Sequence, residues 1–188
     1  MPAFTIVGLP DAAIQESRER VRSAIKNSGY SFPRTKIIAN LAPADIRKSG
    51  PSFDLPLAIG ILLHDEAGSV QRNFLESSLF LGELSLDGNL RPVGSILPSI
   101  IHAKEQGYKR VFVAEKNAQE ASLIPDVDII ACENLHTCVD ILLTGEYTPH
   151  PYTDQTTIID SSKDAMIDFS DVIGQEHAKR ALLISAAG

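Results

Sequence analysis

Apolar and polar positions along this chain alternate in a pattern of short strands and medium-length helices. Phe4–Val7 is a brief apolar run closed by Gly8-Leu9-Pro10, which predicts a strand running into a turn. Asp11 then stands where a helix N-cap belongs. Ile14, Val21 and Ile25, spaced by seven and four, supply the buried stripe of a helix whose arginines lie on the other side. Asn27-Ser28-Gly29 ends that helix. Lys36–Leu41 reads as a second strand, and after the polar loop Ala42–Pro51 an apolar helix covers Leu55–Leu63. Leu79–Leu84 and Asn89–Val93 flank Asp87-Gly88, a strong hairpin signal that predicts two antiparallel strands. Ile96–Gln106 follows as a helix ended by Gly107. Arg110–Ala114 and Asp128–Ala131 are short β runs around a brief helix or turn at Asn117–Leu123, and Leu135–Leu143 is a helix closed by Gly145. The pattern over residues 1–145 is that of a mixed α+β domain.

From residue 146 to 167 the composition turns to Thr, Pro, Asp and Ser with few apolar anchors, which reads as an interdomain linker. Helical periodicity returns over Val172–Ala187, so residues 168–188 read as the start of a second domain. With 188 residues, 44% of them hydrophobic, the chain holds enough apolar side chain for one core and an appendage. No apolar run approaches the roughly 20 residues that span a bilayer, and no basic stretch followed by an apolar one opens the chain. The expectation is a soluble cytoplasmic protein with no membrane partner. Cys132 and Cys138 lack the repeated spacing of a zinc site or a disulfide framework and read as reduced, structural thiols.

Charge changes the picture locally. A net charge of −7 argues against a nucleic-acid footprint over the whole surface. Yet residues 1–48 carry eight basic and four acidic side chains, a balance of +4 that leaves −11 for the remainder. Arg18, Arg22, Lys26, Arg47 and Lys48 are therefore candidates for contact with DNA phosphates, the alternative being a solvated helix face.

Two motifs carry chemistry. In Lys48-Ser-Gly-Pro-Ser-Phe-Asp-Leu-Pro, a polar turn leads into the apolar helix, so the Ser52 hydroxyl can cap the helix start. The same placement would suit a nucleophile beside helix amides that stabilise an oxyanion. The second is Gly82-Glu-Leu-Ser-Leu-Asp-Gly-Asn-Leu-Arg-Pro-Val-Gly-Ser-Ile-Leu, a hairpin running into a helix. Together they resemble the proteolytic domain of Lon, where a GPSAG-like segment bears a catalytic serine and a GEITLxGxVxPIGGLKEK-like segment bears its lysine. The serine matches at Ser52, whereas Leu97 stands where the resemblance puts the lysine. A serine hydroxyl needs a base to attack at neutral pH, and leucine accepts no proton. Phe53-Asp54 in place of Ala-Gly would add bulk and negative charge beside the site. Lys104 is two turns past Leu97, about 10 Å along the helix axis, too far to substitute.

A longer resemblance covers nearly the whole chain. Leu9-Pro-Asp-Ala-Ala with Glu16-Ser-Arg-Glu-Arg-Val-Arg, then Ile38-Ala-Asn-Leu-Ala-Pro-Ala-Asp, residues 48–56, Gly82-Glu-Leu and Arg91-Pro-Val are similar to the N-terminal domain of Mg-chelatase-like AAA+ ATPases of the ComM/YifB family. The resemblance implies a two-layer fold of the ribosomal protein S5 domain 2 type, like the Lon proteolytic domain, lacking its first strands and followed by a linker and helix. It also implies a non-catalytic accessory role in an ATP-driven, homo-oligomeric and hexameric ring, with ComM members tied to DNA branch migration in natural transformation. Asp168-Phe-Ser-Asp-Val-Ile-Gly-Gln-Glu-His-Ala-Lys-Arg-Ala-Leu resembles the opening of an AAA+ module, which would place Val172, Ile173 and Gly174 against an adenine. No G-x-x-x-x-G-K-[ST] phosphate loop occurs in these 188 residues, so ATP and Mg²⁺ are expected of the full-length protein and no tight ATP binding or hydrolysis of this chain. Two other readings stand beside this one: a Lon-like serine peptidase using Ser52, and porphyrin metallation. The second lacks a ligand set, since His64-Asp65-Glu66 are consecutive and do not converge on one ion.

Overall fold

The structure is a computed structural model and describes residues 4–43, 45, 46, 48, 50–66, 70, 72–153 and 171–187. The chain divides into two compact units, residues 1–153 and 154–188.

The first unit begins with strand β1 (Phe4–Val7), helix α1 (Ala12–Asn27) and strand β2 (Ile37–Asn40), with β1 and β2 paired in parallel. Asp11 caps α1 as its spacing predicts, its carboxylate accepting from the Ile14 amide at 2.9 Å. Ile14, Val21 and Ile25 are fully buried. A short 3-10 turn (Pro51–Phe53) runs into α2 (Asp54–Glu66), followed by α3 (Arg72–Glu76).

The expected strand over residues 79–84 is divided between two sheets. Strand β3 (Ser78–Phe80) joins a parallel sheet, whereas β4 (Glu83–Leu84) and β5 (Leu90–Arg91) form the antiparallel hairpin around Asp87-Gly88. The division falls at Gly82, whose amide donates to the Ser52 carbonyl at 3.4 Å and whose carbonyl accepts from the Leu55 amide at 3.1 Å. After the hairpin come α4 (Ile96–Glu105), β6 (Arg110–Ala114), α5 (Glu115–Ala121), β7 (Asp128–Cys132) and α6 (Leu135–Thr144). The order β3-β6-β7 is parallel throughout, each strand reached by a helical crossover. The molecule is thus a mixed helix and strand structure with small parallel sheets.

Strands β6 and β7 separate two apolar clusters. One gathers α1, α2, Leu84, Phe112 and α6; the other gathers Ile96, Ile100, Val111, Val113 and Ile129. Buried Asn117 of α5 ties that helix to the segment after β5, accepting from the Val93 amide at 2.9 Å and donating to its carbonyl at 3.1 Å. In the second unit, α7 (Glu176–Ala187) is amphipathic by sequence, and Leu182, Leu183 and Ile184 are all more than half exposed.

Candidate functional site

Ser52 lies at the centre of the 3-10 turn and is not its capping residue. Gly50 holds the cap position at φ 88, a left-handed angle that suits glycine, and its amide donates to Asp11 Oδ2 at 3.1 Å. The two motifs singled out in the sequence do meet, through the Gly82 bonds to Ser52 and Leu55. The second of these occupies the Leu55 amide in the first turn of α2, so that donor is not free to receive an oxyanion.

Ser52 opens on a cleft of about 1040 Å³, walled by Phe53 and Pro56, by the β3 segment and by Ser99, His102 and Ala103 of α4. Leu97 is half-buried and does not line it. Lys104 points to the surface and pairs with Asp126 at 3.1 Å. The basic side chain on the cleft wall is His102, which is 70% exposed and lies 3.7 Å from Glu105. Among the described residues no basic group hydrogen-bonds the Ser52 hydroxyl.

The charge of Asp54 goes elsewhere than its place beside Ser52 suggests. Its carboxylate is fully buried and turns into the core, where it accepts from Arg20 Nε at 2.8 Å, Arg20 Nη2 at 3.2 Å and the Leu84 amide at 3.2 Å. Arg20 Nη2 also donates to the Ala13 carbonyl at 3.1 Å and Ser17 Oγ at 2.9 Å. The hydrogen bond to Asp54 raises the Arg20 guanidinium above its ordinary pKa. Arg20 therefore departs from the solvated set to which the helix pattern assigns it: it clamps α1 to α2 and β4. A charged residue at the mouth of an apolar helix needs a buried partner, and that demand was the available signal.

The basic candidates separate into three kinds. Arg18, Arg22 and Lys26 are exposed and spaced by one turn along α1. Arg18 leans on Glu19 at 3.2 Å, and the Arg22 guanidinium stands 5.5 Å from the centre of the Phe32 ring. Lys48 is a correction: it is 8% exposed, its ammonium donates to the Pro43 carbonyl, and its backbone bridges to the chain around Pro10. A side chain committed in this way does not reach a phosphate. Arg47 lies outside the described residues.

In the second unit, Val172, Ile173 and Gly174 precede α7, with Gly174 at φ 74 and Ile173 97% exposed. An apolar side chain so exposed forms no wall of an adenine pocket here, and the sequence holds no phosphate loop. Among the described residues no three His, Cys, Asp or Glu side chains gather into a metal-ligand set, and no helix is long and apolar enough to cross a membrane. Cys132 and Cys138 are both buried and unbridged, and contact with Cys132 and burial push the Cys138 thiol well above its usual range.

Compared with known proteins, residues 1–117 match the family model described as subunit ChlI of Mg-chelatase. The chain is 40% identical over 189 residues to the competence protein ComM of Haemophilus influenzae and 41% identical over 191 residues to the protein YifB of Escherichia coli. Each alignment takes in 100% of this chain and 36% of the relative, so the chain spans about a third of their length. Lon protease 2 of Bacillus subtilis is 29% identical over 135 residues, 70% of this chain and 23% of that protein. The chain belongs to the family of the Mg-chelatase subunit ChlI, among the ComM and YifB proteins.

Proposed function

We propose that this chain is a contact module: a Lon-like accessory domain of the two-layer ribosomal protein S5 domain 2 type that works by binding within a Mg-chelatase-like AAA+ assembly and cleaves no bond. The observation that carries the reading is the Ser52 hydroxyl, which opens on a cleft without a hydrogen-bonded base while Leu97 takes the place of the Lon lysine. ATP and Mg²⁺ serve the full-length protein, and Val172, Ile173 and Gly174 contribute at most the adenine side of that site. The assembly is a cytoplasmic homo-oligomeric ring, hexameric by likeness to the family.

The contact we propose is with DNA, along the exposed ladder of Arg18, Arg22 and Lys26. The name of the Haemophilus relative ties that protein to competence, and branch migration during transformation is the activity we assign to the whole protein. Titrating the chain against branched and single-stranded DNA over a salt series tests this. Binding should weaken steeply as salt rises, and a triple Arg18→Glu, Arg22→Glu, Lys26→Glu variant should abolish it. Binding that survives the triple reversal refutes the assignment.

The rival reading is a peptidase, favoured by one observation: the His102 imidazole lines the same cleft as Ser52. It predicts cleavage of an unfolded protein such as casein, lost in Ser52→Ala. The contact reading predicts no cleavage by either form.

A further inference from the structure

The stretch Glu146–Thr153, which the composition assigns to a linker, lies along the first unit with neither helix nor strand. Tyr147, His150 and Thr153 are half-buried, whereas Thr148, Pro149, Pro151 and Tyr152 are exposed. Inward residues at every third position, with prolines between them, are the signature of an extended polyproline-type ribbon. Such a ribbon makes no internal hydrogen bonds and takes its partners from the surface it crosses.

It has three anchors. The Tyr147 hydroxyl accepts from Arg110 Nε at 2.8 Å and donates to Asp128 Oδ2 at 2.7 Å, while its ring meets Phe74 edge-on at 5.8 Å. The His150 amide donates to the Ile129 carbonyl at 2.7 Å, covering the open edge of β7. The Thr153 amide donates to the Ser122 carbonyl at 3.1 Å, and the two hydroxyls share a bond of 2.7 Å. Arg110 reaches beyond the ribbon: its guanidinium lies 4.3 Å over the Phe74 ring and donates to Ser77 Oγ at 2.9 Å. Ser77 is part of the cleft wall.

We infer that Glu146–Thr153 is a releasable strap that leaves its surface as one unit, and that Arg110 links it to the cleft through Ser77. Docked, it fixes the point from which the chain departs at Thr153. Released, its eight residues, at about 3.1 Å each, add roughly 25 Å of reach to whatever follows. Anchorage by separate hydrogen bonds and one partly buried ring, Tyr147 against Phe74, with no wholly buried apolar side chain, makes release local. The inference goes beyond the contact role and does not depend on which partner the module meets.

Amide hydrogen exchange on the 188-residue chain tests it. Tyr147→Phe removes the hydroxyl that joins Arg110 to Asp128 but keeps the ring. If the strap moves as one unit, the His150 and Thr153 amides should exchange together, faster by about tenfold, while Val113 and Ile130 keep their rates. Ser77→Ala should move the same two amides in the same direction by a smaller factor, because it loosens Arg110 from the cleft side. Unchanged exchange at Thr153 in Tyr147→Phe overturns the inference, as does a uniform rise that includes Val113 and Ile130. No response of the strap amides to Ser77→Ala overturns the link to the cleft.

Discussion

Removing the guanidinium of Arg20 is the most demanding perturbation of this fold. Arg20→Met keeps much of the side chain's length and leaves the wholly buried Asp54 carboxylate with the Leu84 amide as its remaining donor. An uncompensated buried charge of this kind costs on the order of 3–5 kcal/mol. For a unit of this size each kcal/mol lowers Tm by about 2–4 °C, so the variant should melt roughly 6–20 °C below the parent. Asp54→Leu alone should also destabilise, because it leaves Arg20, 19% exposed, with Glu16 at 3.7 Å and the Ala13 and Ser17 oxygens as its partners. The double variant Arg20→Met/Asp54→Leu removes both charges and leaves one unpaired amide, a cost of about 1–3 kcal/mol. It should therefore be more stable than either single variant. Urea denaturation at neutral pH, followed by circular dichroism, gives all three differences. A single-variant loss below about 1 kcal/mol, or a double variant that falls by the sum of the singles, refutes the view of this pair as a coupled clamp.

Other perturbations address other parts of the structure. Gly88 has φ 90, and a Cβ there would sit 2.2 Å from Ser28 Oγ, so Gly88→Ala should destabilise by about 1–3 kcal/mol and Ser28→Gly should recover only part of it; full recovery would mean that the backbone angle carries no strain. The Asp87 carboxylate is held below its ordinary pKa, first by the Ser85 hydroxyl and then by the Asn89 amide. With a folded pKa below the unfolded one, its contribution is complete above the ordinary carboxylate range and fades as pH falls through the lowered value; an NMR titration that places Asp87 at or above the ordinary value contradicts this. Cys132 and Cys138 should resist a thiol reagent such as DTNB until the chain unfolds, because both are buried and the Cys138 thiolate is disfavoured. Rapid labelling of the folded protein would argue against that environment.

Much of this architecture was legible because local rules and packing agree. Asp11 caps α1, the Ile14–Val21–Ile25 stripe is buried, and Asp87-Gly88 turns a hairpin. Where readings failed, the deciding contacts were distant in sequence. Periodicity in Leu79–Leu84 cannot reveal that Phe80 pairs with Phe112 while Leu84 pairs with Leu90, because β5 returns through the local hairpin and β6 arrives by a crossover through α4. Arg20, Arg22 and Lys48 look alike as basic residues near a helix. One meets a carboxylate 34 positions away, one stays exposed, and one is buried against a carbonyl. The ribbon after Gly145 has linker composition, yet three anchoring residues at a spacing of three give it a surface to follow. Of the candidate site, the sequence singled out Ser52 and the two motifs, and their meeting at Gly82 is a finding of the structure. His102 on the cleft wall was not visible, since nothing in the α4 pattern tells which face meets Ser52.

The claim that the cleft lacks a working nucleophile is tested most directly by exposing the 188-residue chain to a fluorophosphonate and reading its intact mass. The account predicts an unmodified mass under conditions that label an active serine peptidase to completion, since among the described residues no base is hydrogen-bonded to the Ser52 hydroxyl. A stoichiometric adduct on Ser52 that disappears in His102→Ala would contradict it and make this module an enzyme.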